Sequence, residues 1–308
     1  MSGAAQDPGI SQYLEMLRTQ RNLSPHTVSS YQLDLADLAS FAKGKDLVSL
    51  TYFDVRRLTS IKHAEGLSAR SIARKLSCWR GYYRWLAEHV NLAANPVDGI
   101  KAPKKAKSLP KALGADDAVR LVSHMPGNEA TPSANRAMFE LLYSSGLRVS
   151  ELVGLDVADI SENAYASLGW VDMAQAEVHV TGKGNKQRIV PVGKPALDAL
   201  RDWLRVRTTL VKADPHPLFL TERGTRMSVR LVQLRLKAHA QIIGIPADVH
   251  PHVLRHSFAS HVLQSSGDLR AVQEMLGHSS IAATQVYTSL DFQHLAKVYD
   301  ASHPRAKK

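Results

Sequence analysis

The stretch Ile100-Lys-Ala-Pro-Lys-Lys-Ala-Lys-Ser-Leu-Pro110 constrains this chain more than any other. Its prolines break regular structure and its lysines repel one another, so it reads as an extended linker with a domain boundary near residue 107. A chain of 308 residues has room for about two domains, each able to bury a core. The expected division is a disordered lead at 1–9, a helical domain at 10–100, the basic linker at 101–112, a second domain at 113–300 and a loose basic tail at 301–308.

Apolar residues in the first part recur at helical spacing. Ile10, Tyr13, Leu14 and Leu17 form one stripe; Tyr31, Leu35, Leu38 and Phe41 form the next, behind Ser24 as N-cap and Pro25 as first helical residue. A third helix is expected from about Tyr52 through Val55 and Leu58. The fourth, from Leu67-Ser68 to about Glu88, carries Arg70, Arg74, Lys75, Arg80 and Arg84 with no acid between Gly66 and Ala87. Basic side chains on one helix face can neutralise DNA phosphates and release counterions. The interleaved Trp79, Tyr82, Tyr83 and Trp85 are expected to be core. Lys104 and Lys105 in the linker suit a strap along a phosphate backbone.

The net charge of +11 favours a polyanionic partner, nucleic acid being the usual one. The single cysteine, Cys78, excludes an internal disulfide and a cysteine-rich zinc module, and suits a reducing, cytoplasmic interior. The residues after Met1 lack a basic n-region and an apolar core, so no signal peptide is expected. No apolar run reaches the ~18 residues of a membrane span.

In the second part, helices are expected at about 115–124 and 133–145. Gly146 then fits a helix C′ position, with Arg148 or Ser150 starting the next helix. An arginine held at that tight turn suits a phosphate clamp. Residues 176–182 and 186–192 alternate as strands around a hairpin tip at Lys183-Gly184-Asn185, where Lys183, Lys186 and Arg188 cluster. A lysine at such a tip can give a proton to a leaving oxygen. Further helices follow at 195–210 and from about Ser228 to Ile243, with Arg226, Arg230 and Arg235 as candidate base-reading residues.

The densest chemistry lies in His250–Leu290. His252 and Arg255 stand three apart in HPHVLRHSFASHVLQ, followed by His278 in Leu-Gly-His and Tyr287 in Thr-Gln-Val-Tyr-Thr. On a helix an offset of three shares a face. A guanidinium fork matches phosphate oxygens, and imidazole donates to phosphate or moves a proton near neutral pH. Tyrosine offers an oxygen nucleophile that needs a cationic setting. A phosphodiester attacked by Tyr287 uses the whole set. His252 and His256 stand four apart, but no glutamate lies between them and a guanidinium does, so a metal site is not expected.

Arg148 in GLRVSEL, Lys183 in GKGNKQR, His252 and Arg255 in HVLR, His278 in LGH and Tyr287 in TQVYT together resemble the tyrosine recombinase (integrase) family. The resemblance covers nearly the whole chain. The segments HPHVLRHSFASH and SSGDLRAVQEMLGHSSI and the ending from Asp291 look most like its bacterial Xer branch, the XerC group in particular.

That resemblance implies a mainly α fold with a small β-sheet. A helical core-binding domain and an α+β catalytic domain would form a C-shaped clamp around DNA. It implies that Tyr287 forms a 3′-phosphotyrosyl bond, that Arg148 and Arg255 clamp the non-bridging oxygens, and that His252 and His278 assist. Lys183, or Lys186 in its place, would protonate the leaving 5′ oxygen. No metal, ATP or other cofactor is implied.

Its implied partners are a double-stranded recombination site, a second related (XerD-like) recombinase in a heterotetramer, and a septal DNA translocase as activator. The implied role is to resolve chromosome dimers at cell division. Residues 291–300 are the candidate for docking into a neighbouring subunit, with packing on the same domain as the other possibility. Residues 161–176 make a longer connection than compact members have. The rival readings are an integrase of mobile DNA, of phage or integron type, and a catalytically silent DNA-binding accessory protein.

Overall fold

The computed structural model describes residues 7–103, 112–123, 125, 129–162, 165–182, 187–245, 248–277 and 289–306. The chain separates into two compact units, Met1–Ser108 and Leu109–Lys308.

The first unit is helical, and its helix starts follow the cap residues. The N-terminal helix α1 (Pro8–Thr19) begins after Asp7, and α2 (Pro25–Ala42) after Ser24, whose side chain accepts from the Thr27 N–H. A Thr51–Asp54 capping box opens α3 (Tyr52–Ala64), and Ser68 opens α4 (Ala69–Ala87). The stripes of Tyr13, Leu14, Leu35, Leu38, Val55, Leu58, Trp79, Tyr82 and Tyr83 fill one core.

The basic face expected on α4 is divided. Lys75 is buried, its ammonium held by Asp34 at 2.8 Å and Asp37 at 2.6 Å. It is a structural ion pair, a correction to its place among the phosphate contacts; the acids missing from its own helix come from α2. Arg74 shares Asp34 at 2.6 Å, and Arg80 donates to the carbonyls of Val97 and Ile100, so both are also engaged within the unit. Arg70 and Arg84 remain exposed.

The second unit is built around α6 (Ala130–Ser145), whose residues from Ala137 to Ser145 are buried throughout. Before it comes α5 (Ala115–Ser123) and after it the short α7 (Val149–Gly154). Strands β1 (Ser161–Glu162) and β2 (Tyr165–Ala166) pair with each other. Strands β3 (Gly169–Asp172), β4 (Glu177–Thr181) and β5 (Gln187–Pro191) form an antiparallel sheet in the order β3-β4-β5. Val171 faces Val178 and Val178 faces Val190 across it, so alternate residues meet the core. Then come α8 (Lys194–Arg207), α9 (Val229–Ile242), α10 (Pro251–Ser266), α11 (Leu269–Leu276) and α12 (Ser289–Ser302).

The long connection at 161–176 thus supplies the β1–β2 hairpin and β3. Buried Asp156 holds it, accepting from Tyr165 Oη and Ser167 Oγ at 2.7 Å each and from Arg226 at 2.7 Å. Arg226 also donates to the carbonyls of Val153 and Leu155, and Arg235 is half-buried beside Asn135. Neither reaches out as a base reader would. Arg230, in the first turn of α9, is exposed.

The C-terminal segment is docked rather than loose. Helix α12 packs on its own unit: Leu295 and Tyr299 are buried, and Tyr299 Oη lies 2.7 Å from Ser144 Oγ. Past its end, the ring of His303 lies among Tyr143, Phe258 and Tyr299, with centroids 4.9, 5.2 and 5.0 Å away. Arg305 pairs with buried Glu140. Burial, with the charges of His261 and Arg305 adding to it, pushes the His303 pKa down to about 3. Between pH 6.5 and about 3 the unfolded chain therefore binds a proton at His303 that the folded chain refuses, and stability falls as pH falls. His303→Phe should flatten this part of the stability–pH curve, checked by urea unfolding at a series of pH values against the parent chain.

Candidate active site

Three guanidiniums meet at one helix end. The last carbonyls of a helix have no partner within it and carry its negative pole. At the end of α11, Met275 O accepts from Arg188 Nε at 2.9 Å, Leu276 O from Arg255 Nη2 at 2.6 Å, and Gly277 O from Arg148 Nη2 at 3.3 Å. Arg188 comes from β5, Arg255 from α10 and Arg148 from the turn between α6 and α7. Three distant stretches of sequence thus converge on three successive carbonyls.

The α6–α7 turn follows from its residues. Gly146 ends α6 at φ 58, the left-handed region open to glycine, and a Cβ there would run into the Phe258 ring. Its carbonyl accepts from Arg255 Nη1 at 2.5 Å. Arg148 then caps α7. Glu151 accepts from the Arg148 backbone N–H at 2.7 Å and from its Nη1 at 2.8 Å. The same carboxylate accepts a two-pronged contact from Arg188, at 2.8 and 2.7 Å.

Electrostatics follow from these contacts. Burial alone would raise the Glu151 pKa, but the hydrogen bond and charge of Arg188, with Arg148 adding to them, hold it down at about 2. Glu151 is therefore ionised at neutral pH. Burial pushes Arg255 down to about 10, with the charges of Arg148 and Arg188 adding and Glu151 opposing, so it stays cationic. Arg148 and Arg188 hold the Glu151 carboxylate, and Arg255 adds a third guanidinium bonded to the carbonyls of Gly146 and Leu276. The surplus is positive, and Arg148 keeps 34% of its side chain exposed. Such a cluster suits an oxyanion with several acceptor oxygens.

Of the residues singled out from sequence, the structure brings together Arg148 and Arg255 through α11. His252 is exposed on α10, one turn before Arg255, and its ring stands edge-on to His250 at 6.1 Å. Lys183, Lys186, His278, Tyr287, Lys104 and Lys105 lie outside the described residues. The described part of α11 ends at Gly277, immediately before His278.

Two residues of the cluster were not among those candidates. Glu151 carried a signal: an acid three residues after Arg148 is the N3 position of a capping pair. Arg188 was visible only as one of three basic residues near a hairpin. Gly146→Ala should cost about 1–3 kcal/mol through the strained φ and the Phe258 clash, read from chemical unfolding.

Comparison with known proteins places the chain in a family. The phage integrase family matches residues 111–294, and the phage integrase N-terminal SAM-like domain matches residues 10–89. The chain is 55% identical to tyrosine recombinase XerC of Ralstonia pickettii (strain 12J), over 99% of this chain and 96% of that one. It is 46% identical to tyrosine recombinase XerC of Alcanivorax borkumensis, over 97% and 94%.

Among solved structures, XerH recombinase bound to a palindromic difH substrate superposes with a TM-score of 0.65 at 20% identity, covering 96% of this chain and 85% of that one. A lambda integrase dimer bound to a core site gives 0.66 at 17%, covering 91% and 98%. These two share the fold. With both family matches and the near full-length relatives together, the chain belongs to the phage integrase family and is a XerC-like tyrosine recombinase.

Proposed function

We propose that this recombinase cuts and rejoins duplex DNA through Tyr287, and that its role is to resolve chromosome dimers to monomers at cell division. The observation that carries the chemistry is the gathering of Arg148 and Arg255, with Arg188 and Glu151 behind them, at the end of α11. The net charge of +11 and the XerC relatives support the DNA substrate and the role.

In this reading the Tyr287 oxygen attacks the scissile phosphorus and forms the bond to it while its proton passes to His252. The bond from phosphorus to the 5′ oxygen breaks, and Lys183, or Lys186 in its place, protonates that oxygen. Arg148 and Arg255 neutralise the non-bridging oxygens where charge builds up, and His252 and His278 hold the same group and pass protons. The 5′-hydroxyl of a partner strand then attacks the 3′-phosphotyrosine and releases Tyr287. One phosphodiester is exchanged for another, so the step needs little net free energy.

The partners are a double-stranded recombination site, a second related recombinase of the XerD type in a tetramer, and a DNA translocase at the septum as activator. The place of action is the cytoplasm. Arg70, Arg84 and Arg230 are exposed phosphate-contact candidates, and Lys104, Lys105 and Lys186 are further candidates.

A nicked suicide duplex carrying candidate sites tests the reaction. The native chain should accumulate a covalent protein–DNA adduct whose trapped peptide contains Tyr287, and Tyr287→Phe should give none. An unchanged adduct yield in Tyr287→Phe would remove Tyr287 from the mechanism. No adduct with either chain would favour a silent accessory protein. Binding to the same duplex across a salt series tests the contacts: Arg70→Ala and Arg84→Ala should each lower the slope of log K against log salt by about 1.

A further inference from the structure

Arg188 is 4% exposed, and its fork is directed at protein rather than at solvent. Nε donates to Met275 O at 2.9 Å, while Nη1 and Nη2 each take one oxygen of Glu151, at 2.8 and 2.7 Å. Both oxygens of Glu151 are shared. Oε1 also accepts from Arg148 Nη1 at 2.8 Å, and Oε2 from the Arg148 backbone N–H at 2.7 Å. Arg188 therefore fixes the plane of the carboxylate that orients Arg148. Through Met275 O it also fixes the end of α11, just before His278. Its own strand begins at Gln187, directly after the segment that carries Lys183 and Lys186. The fit is close, since a Cβ on Gly277 would stand 3.1 Å from Arg188 Cδ.

A buried guanidinium is expensive, and an apolar side chain of similar volume often stabilises as well or better. Arg188 stands behind Arg148 and Glu151, with its Nη atoms on the carboxylate. We infer that Arg188 is a positioning residue for strand cleavage, tying Arg148, the end of α11 and the hairpin strand into one frame through Glu151 and Met275 O. It does this without touching DNA. Lysine cannot take its place, because an ammonium lacks the planar fork that meets both carboxylate oxygens. Without that fork the carboxylate can turn onto Arg148 and occupy donors that the phosphate needs. This inference rests on the reading of Arg148 as a phosphate clamp.

The test uses the full chain, with Arg188→Lys, Glu151→Gln and the double variant. Each is assayed at a temperature where circular dichroism shows it folded. Duplex affinity and the single-turnover rate of adduct formation at saturating suicide duplex are measured separately. R188K should bind DNA within about twofold of the parent yet form adduct about 10–100-fold more slowly, the scale typical of orienting partners. The double variant should be no slower than the slower single variant, because both act through one carboxylate.

A cleavage rate for R188K within twofold of the parent would overturn the inference, as would losses that multiply in the double variant. A loss confined to DNA affinity would do so too. If R188K does not fold, Glu151→Asp carries the test. It keeps a carboxylate for the buried guanidinium but withdraws it from Arg148 by one methylene. It should slow cleavage at least tenfold with DNA affinity unchanged, and a parental rate would overturn the inference. An inactive parent chain in the same assay would instead sink the reading of the reaction, and this inference with it.

Discussion

The structure depends on what happens at the C-terminal end of α11. A helix end leaves carbonyl oxygens without partners, and burying them unpaired would cost free energy. Here Met275, Leu276 and Gly277 each receive a guanidinium N–H. Three like charges would repel one another. The single carboxylate of Glu151 and the negative pole of the helix offset part of that repulsion. The cluster keeps a positive excess, which a phosphate can complete. In the proposed reaction, folding and phosphate recognition draw on the same contacts.

This arrangement accounts for why the chemistry is scattered along the sequence. The GLR turn delivers Arg148 because Gly146 can take a left-handed φ and let Phe258 pack against it. The sheet delivers Arg188 because its register places Val180 opposite it and Val190 toward the core. Helix α10 delivers Arg255 because Val253, Leu254, Phe258 and Val262 bury its apolar side. Each element is held by its own packing, and none could place its arginine alone. Helix α12 and the residues after it add a further tie: Tyr299, His303 and Arg305 fasten the chain beyond Tyr287 to α6.

Much of the fold was legible because it is written in local terms. Ser24, Thr51 and Ser68 mark helix starts, and the stripes of Ile10, Tyr13, Leu14 and Leu17 mark a buried face. Arg148 and Arg255 could be singled out as candidate phosphate ligands because their residue type states their chemistry, and the structure brings both to the end of α11. What could not be read was pairing across the sequence. The acid-free run on α4 looked like an open basic face, yet Asp34 and Asp37 on another helix neutralise Lys75. Arg226 looked free until Asp156 was placed beside it. The tail looked loose because its basic residues gave no hint of buried Glu140, 165 positions before Arg305. Strand β3 was missed because Gly169–Asp172 is short and reads as a strand only beside β4.

A structure of the chain bound to a duplex carrying its own recombination site tests the central claim most directly. The account requires the scissile phosphate to sit within hydrogen-bonding distance of both Arg148 and Arg255 at the end of α11, with the Glu151–Arg188 pair intact behind them. A scissile phosphate bound elsewhere, with both arginines still spent on the carbonyls of Gly146, Leu276 and Gly277, would contradict it.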